Sequence, residues 1–409
     1  MAKKRLAYYI ENYDYGGLEK FVMDLLAGPV ADDYEVTLYS NSANVRFIGE
    51  LKKSRLLEKV TLKTLDMPDF ISRCYRMVNS HGGLAGKFFV GVIILSKYPL
   101  FIYNLLYLIF KFERFDVFHV INGGYPAADS CRAAVMAARI KRSDVIIMSV
   151  LSTAYAREKL YAVSERFLDR LVERSVTYFH VNSKAAGDSL VSKRGFRSDK
   201  VINIYTGIAI SDDVIQKRSG GKGPITIGVV SSLISYKGHK YLIEAAGIIR
   251  KKYGKSREFK YLVIGDGDCR KQLEEFAKES GVSDLFDFYG YYPGPLDRIL
   301  NEFDIFVFPS LQESFPYAVI EAMRMGLPIV ATAIAGITEQ IVDQQSGLLV
   351  PPGDSQALAD GIVYAAENPD LREKFGRNAY KRVRELFDVN NTMDGIRNLY
   401  NKRISNRPI

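Results

Sequence analysis

Little in this 409-residue chain points to cross-links or bound metal. Its three cysteines, Cys74, Cys131 and Cys269, are scattered without paired spacing. That argues against a disulfide framework or a zinc site and fits a reducing compartment. The four histidines, His81, His119, His180 and His239, make no ligand-spaced cluster. Tryptophan is absent, and nothing follows from that. The formal net charge is +9, yet no arginine-rich tract or nucleic-acid motif accompanies it. Nucleic acid is therefore not an expected partner, and the basic balance points to anionic small substrates or anionic lipid. Met1 to Arg5 pass directly into strand-like residues without a signal-peptide pattern, so a cytoplasmic location is expected. The most apolar stretch, residues 84–112, is interrupted by Lys97 and Pro99. Neither piece alone reaches the roughly 20 residues that a membrane-spanning helix needs.

What remains is an ordinary globular composition, 47% hydrophobic and 25% charged, in a chain long enough for two domains. Short apolar runs alternate with helical patterns along most of its length. Leu6–Ile10, Tyr34–Tyr39, Asp116–Ile121, Asp144–Leu151 and Thr177–Val181 read as strands of a first domain, residues 1–218. Residues 45–112 break the rhythm as an apolar and basic insertion. The polar, glycine-rich run Arg218–Pro224 reads as a linker. Ile225–Val230, Tyr261–Ile264, Leu285–Tyr289, Ile305–Phe308 and Leu327–Ala331 then read as strands of a second domain, residues 225–388. Such alternation implies right-handed crossovers and a parallel, doubly wound sheet in each half.

One stretch organises the second half, Asp304 to Gln340. A buried strand ends at Phe308, and a polar turn runs to Glu313. Ser314 stands where an N-cap belongs, with Pro316 in the first helical turn. Gly326 and Pro328 stop the helix before the next strand. Glu313 in the turn and Glu321 in the helix have seven residues between them. A helix N-terminus attracts phosphate, so an acid before it can reach a polyol and one further in can reach the far side of a nucleotide. An unrelated loop acid and helix acid would leave the same trace.

The surrounding residues resemble the retaining, GT-B-type glycosyltransferases of the large family 4. The match runs through Glu313-Ser314-Phe315-Pro316, Glu321-Ala322-Met323, Gly326 to Thr332, Ala335-Gly336 with Glu339, and Ser346 to Val350 with Gly353-Asp354. It is clear over roughly residues 225–388 and thinner near the N-terminus. The resemblance implies two Rossmann-like domains facing a central cleft, with a last helix, 389–409, crossing back to the first. It implies a metal-independent transfer from a UDP- or GDP-linked sugar to a glycan acceptor, with no cofactor beyond the donor. Glu313 would contact the transferred sugar, Glu321 the ribose, Gly16 and Gly17 the diphosphate, and Lys237 the departing charge. The N–H groups of Phe315, Tyr317 and Ala318 would add donors, Tyr291 would pack on the base, and His119 would help line the acceptor site. Outside the resemblance, Lys237 also fits a solvated turn lysine, His119 and Tyr291 fit core residues, and the Gly-Gly turn fits a plain tight turn.

Two positions depart from that pattern. Ser232 stands where the family usually has arginine, and Pro316, lacking an N–H, where it commonly has glycine. Asp266-Gly267-Asp268 looks like a metal-binding D-x-D, but its place after a strand reads as a backbone-close turn. The expected function is therefore glycosyl transfer in surface polysaccharide or glycolipid assembly. The alternatives are a non-catalytic GT-B partner subunit, a nucleotide-sugar epimerase, and a transferase with a soluble acceptor. The apolar stretch 84–112 within basic surroundings suits a protein lying on an anionic inner membrane face with a lipid-linked acceptor. A buried helical hairpin or an oligomer contact fits it as well.

Overall fold

The computed structural model describes residues 3–11, 16–67, 83–126, 128–210, 223–254 and 259–402, without the side chains of 83–95. The chain forms two compact units. The first takes in the chain up to Asn182, then Ala186–Ile204 and the stretch from Met393; the second is Ser183–Ala185 with Tyr205–Thr392. Most of the expected linker, 218–222, lies outside the described residues, as does most of the Tyr13–Gly17 turn.

The first unit is a parallel sheet of seven strands: β1 Lys4–Ile10, β2 Tyr34–Asn41, β3 Val60–Leu65, β4 Val117–Asn122, β5 Val145–Val150, β6 Tyr178–Val181 and β7 Val201–Asn203. Their order is β3-β2-β1-β4-β5-β6-β7, so the winding reverses between β1 and β4. In β1, residues Leu6 to Ile10 are all buried, and β4 is buried throughout, as strands covered on both faces must be. The flanking helices include α1 Gly17–Ala27, α2 Gly83–Lys111, α3 Asp129–Ile140 and α4 Ala162–Ser175. The expected break at Pro99 does not occur, because α2 runs through it as one helix of 29 residues. A helix can carry proline where neighbouring packing compensates the lost hydrogen bond. Past Pro99, Leu108 of α2 and the adjoining Phe112 are buried, and Phe112 packs against Tyr39 and Phe118 at ring distances of 4.8 and 4.7 Å. Among the described residues, no helix is long and apolar enough to cross a membrane.

Two buried polar systems stiffen this unit. Arg194, fully enclosed, bonds Glu165 at 3.0 Å and Asp169 at 2.9 Å, while Lys97 of α2 bonds Glu165 at 3.1 Å. The second runs across the sheet. His180 Nε2 lies 3.1 Å from the carbonyl of Ile204, which can only accept, so Nε2 carries the proton. His180 Nδ1 then accepts from Ser149 at 2.7 Å, and Ser149 accepts from His119 Nε2 at 2.6 Å. That leaves His119 Nδ1 to accept from the Tyr400 hydroxyl at 2.6 Å.

The second unit is a parallel sheet of six strands: β8 Ile225–Val230, β9 Phe259–Ile264, β10 Phe286–Gly290, β11 Ile305–Phe308, β12 Ile329–Thr332 and β13 Leu348–Val350. The order β10-β9-β8-β11-β12-β13 reverses between β8 and β11. Its helices include α5 His239–Tyr253, α6 Tyr317–Arg324, α7 Ser355–Glu367 and α8 Pro369–Leu386. A last helix, α9 Val389–Asn401, leads from this unit into the first one.

Candidate active site

In an open parallel sheet, the crevice for a ligand lies at the carboxyl ends of the two strands where the winding reverses. In the second unit those strands are β8 and β11, and the loops that follow them carry Lys237 and Glu313. The two side chains, far apart in sequence, form an ion pair there, both mostly buried, with Ser310 Oγ 3.3 Å from the same carboxylate. Lys237 also lies over the rings of Tyr236 and Phe308, at 5.4 and 5.9 Å.

Backbone contacts hold the loops in this register. The N–H of Leu311 donates to the Tyr236 carbonyl at 2.7 Å, and the Ser310 hydroxyl donates to that carbonyl at 3.1 Å. Thr332, ending β12, donates to the Ser310 carbonyl. Gly238 takes φ +72°, and a Cβ there would stand 2.0 Å from the Pro309 carbonyl oxygen. The loop after β12 presses closer still: a Cβ on Gly336 would lie 1.5 Å from the Ser314 oxygen. Only glycine lets these backbones approach. Ser310, Thr332, Gly238 and Gly336 complete the site. Thr332 and Gly336 belong to the matched motif but were given no site role from sequence, and Ser310 and Gly238 were not singled out; the signal available for them was their position, at a strand end and beside Lys237.

Local structure corrects the expected cap. The N-cap of α6 is Pro316 in extended conformation, with no side chain capping it. Ser314 instead meets Ser183 at 3.1 Å, a non-local partner. The N–H groups at the start of α6, including those of Tyr317 and Ala318, have no intrahelical acceptor and face outward along the axis. Phe315 is anchored by its ring, stacked on Tyr205 at 5.3 Å and edge-on to Phe387 at 5.1 Å. Glu321 is nearly buried on α6. Glu339, part of the sequence motif, accepts from the N–H groups of Lys184 and Ala185 at 2.8 and 2.9 Å.

Next to β8, Gly265 and Gly267 pack on the Ser231 and Leu233 carbonyls, and Leu233 N–H donates to the Asp266 carbonyl at 3.0 Å. The Gly-Asp-Gly stretch is thus a turn pressed against its neighbour's backbone. Ser232 is exposed in that neighbouring loop. Tyr291, after β10, is 62% exposed and so is not a core tyrosine. His239 opens α5 and is buried, with Nε2 3.0 Å from Ser231 Oγ; burial pushes its pKa down to about 4.

In the first unit, Gly16 is the N-cap of α1 and Gly17 its first residue; Glu19 Oε2 accepts from the Gly16 N–H at 2.9 Å. Glu19 is fully buried. Among the described residues, a Cβ on Gly16 would meet nothing within 4 Å. His119 is a correction: the relay of Ser149 and Tyr400 occupies both its ring nitrogens, and it is fully buried. It is a core histidine, and it lines no open surface.

Two doubly wound parallel sheets, of seven and six strands, define the GT-B fold. Solved structures agree along nearly the whole chain: Anabaena HepE in complex with UDP gives a TM-score of 0.72 at 19% identity, covering 96% of this chain and 98% of that one. TarM gives 0.70 at 13%, covering 98% and 99%. Residues 211–382 match the family model for glycosyl transferases group 1. Among curated relatives, the amylovoran biosynthesis glycosyltransferase AmsK of Erwinia amylovora is 35% identical over 172 residues, 40% of this chain and 42% of its own. The capsular polysaccharide biosynthesis glycosyltransferase CapM of Staphylococcus aureus is 25% identical over 243 residues, 56% and 60% of the two chains. The chain spans about half the length of these relatives.

Proposed function

We propose that this protein is a retaining glycosyltransferase that moves a sugar from a nucleotide-diphosphate donor to a lipid-carried glycan in surface polysaccharide assembly. The Lys237–Glu313 pair at the β8–β11 reversal, beside the N-terminus of α6, carries this reading. Lys237 meets the charge that grows on the departing diphosphate, and the N–H groups of α6 add a fixed positive pole. Glu313 accepts from hydroxyls of the transferred sugar, and Glu321 from the ribose. The acceptor oxygen attacks C1 from the face the diphosphate leaves; the C1–O bond to the diphosphate breaks, and its oxygen takes the acceptor's proton. With the electrostatic work assigned to Lys237 and α6, the reaction in this reading uses no metal. HepE, whose solved structures include complexes with UDP and with UDP-glucose, supports a nucleotide sugar as donor. Relatives named for amylovoran and capsular polysaccharide biosynthesis support a glycan acceptor. A membrane-surface location on the cytoplasmic side belongs to the same reading.

One observation favours a second reading. The Lys237 charge is already met by Glu313, and Ser232 adds no further cation, as a non-catalytic GT-B subunit would tolerate. A thermal-shift panel of UDP- and GDP-linked sugars, followed by nucleotide release with and without glycan acceptor, separates the two. Stabilisation by a donor together with acceptor-dependent release is the expected result. Stabilisation without any release selects the non-catalytic subunit, and no stabilisation by any donor overturns both.

A further inference from the structure

Exposed large apolar side chains gather on two helices of the first unit. On α2 they are Ile102, Tyr103, Leu106 and Phe110, the last 83% exposed. The second set lies on α4 and just before it. Leu160, just before it, is 71% exposed, Val163 is 86% exposed, and Phe167 is also in solvent. The buried side of α4 is Glu165, Leu168, Asp169 and Val172. At 3.6 residues per turn, Val163, Arg166, Phe167, Arg170 and Arg174 fall within an arc of about 100° on the opposite side. Arg166, Arg170 and Arg174 are exposed there, as is Lys159 before the helix, with Glu158 as the exposed acid among them. The two sets meet at one junction. Tyr98 bonds Ser164 of α4, packs on Tyr161 at 6.3 Å, and heads the row Tyr98, Ile102, Leu106, Phe110 along α2.

We propose that the first unit docks on an anionic bilayer surface through the outer face of α4, with the row on α2 as a second contact. This names the partner surface for the lipid-carried-acceptor reading and does not depend on the donor site. Apolar side chains flanked by long cationic ones are what an interfacial helix presents, the chains entering the acyl boundary while the guanidinium groups reach headgroup phosphates. No described helix can span a bilayer, which leaves its surface. A second copy of this chain fits poorly, because a two-fold contact would set Arg166, Arg170 and Arg174 against their own kind. An acidic protein would need a groove to receive the apolar residues of a convex helix, whereas a bilayer adapts to that shape.

The test is sedimentation of the full chain with vesicles of phosphatidylcholine, with and without phosphatidylglycerol. Binding is expected only with the anionic lipid, and it should weaken as salt rises. Val163→Ser with Phe167→Ser, and separately Arg166→Glu with Arg170→Glu, should each lower vesicle affinity roughly tenfold or more. Leu106→Ser with Phe110→Ser should lower it less. The thermal shift produced by UDP should stay at the wild-type value in every variant. Absence of anionic-vesicle binding, or binding that ignores the α4 substitutions, overturns the proposal. So does a dimer that forms without lipid and dissolves in the Val163/Phe167 variant. Vesicle binding without any UDP shift would sustain docking while removing the donor-site reading.

Discussion

Mild acid should unfold the first unit through its sheet-crossing relay. Burial pushes His180 down to about 4, and burial, with His180 as a close neighbour, pushes His119 well below its ordinary value. An unfolded histidine titrates near 6.5, so between about 6.5 and 4 the unfolded chain holds protons that the folded unit refuses. Stability from this source is complete above 6.5 and is lost as the pH falls. The slope is about 1.36 kcal/mol per pH unit for each histidine. Going from 6.5 to 5 therefore removes about 1.6 kcal/mol for His180, and His119, lowered by the same burial, adds to the loss in the same direction. That is an appreciable share of the roughly 5–15 kcal/mol that holds a typical domain. Unfolded carboxylates stay mostly ionised over this window, so the histidines dominate it. Urea unfolding followed by circular dichroism at pH 7, 6 and 5 should show the midpoint falling steadily below 6.5. The imidazole carbon shifts of both histidines should stay flat from pH 7.5 to 5. A midpoint unchanged between pH 7 and 5, or either ring titrating near 6.5, would refute the neutral relay.

At the candidate site, Glu313→Gln and Glu321→Gln should each cut transfer tenfold or more with the fold intact by circular dichroism; near-normal turnover in both removes them from the donor site. Lys237→Ala should lower kcat roughly a hundredfold, as loss of a transition-state donor does, with a smaller effect on KM. An effect confined to KM would assign Lys237 to ground-state binding. Gly336→Ala should displace the Ser314 loop and cost about 1–3 kcal/mol of stability together with donor affinity. A variant matching wild type in melting temperature and UDP shift contradicts the close approach. Arg194→Met leaves Glu165 and Asp169 facing each other without their shared cation and should cost roughly 3–5 kcal/mol in urea unfolding. A neutral outcome would mean that Lys97 on Glu165 and Arg157, which bonds Asp169 at 2.8 Å, suffice.

The strands were the most legible part of the sequence. Ile305–Phe308 appears with the bounds expected, because a strand covered on both faces writes an unbroken apolar run, and Ile225–Val230 also keeps its expected bounds although Thr226 interrupts its run. The juxtaposition of Lys237 and Glu313 was legible only through the motif, since 76 residues separate them and the strand order joins them. Where partners are distant, local rules misread. Ser314 has cap chemistry, but Ser183 takes its hydroxyl, and Pro316 caps α6 with backbone alone. His119, inside its strand, is a site residue only by resemblance until Ser149 and Tyr400 claim both nitrogens. Pro99 is a breaker by propensity, yet α2 continues through it under tertiary packing. Residues 162–175 are rich in charge; which of them face outward is a property of the packed unit.

The hydroxyl that completes the relay belongs to Tyr400, which follows His119 by 281 residues. Arg397 likewise returns to Asp33 at 2.9 Å. During synthesis at about 5–20 residues per second, His119 waits roughly 15 to 60 s for that hydroxyl. Over that interval, all six strands of the second unit emerge and can pair. The domain begun first is therefore finished last, and the side chains of Tyr8 and Tyr34 lack their Tyr400 contact until α9 arrives. Premature termination ahead of Tyr400 would leave a complete second unit attached to a first one whose histidine has lost its donor.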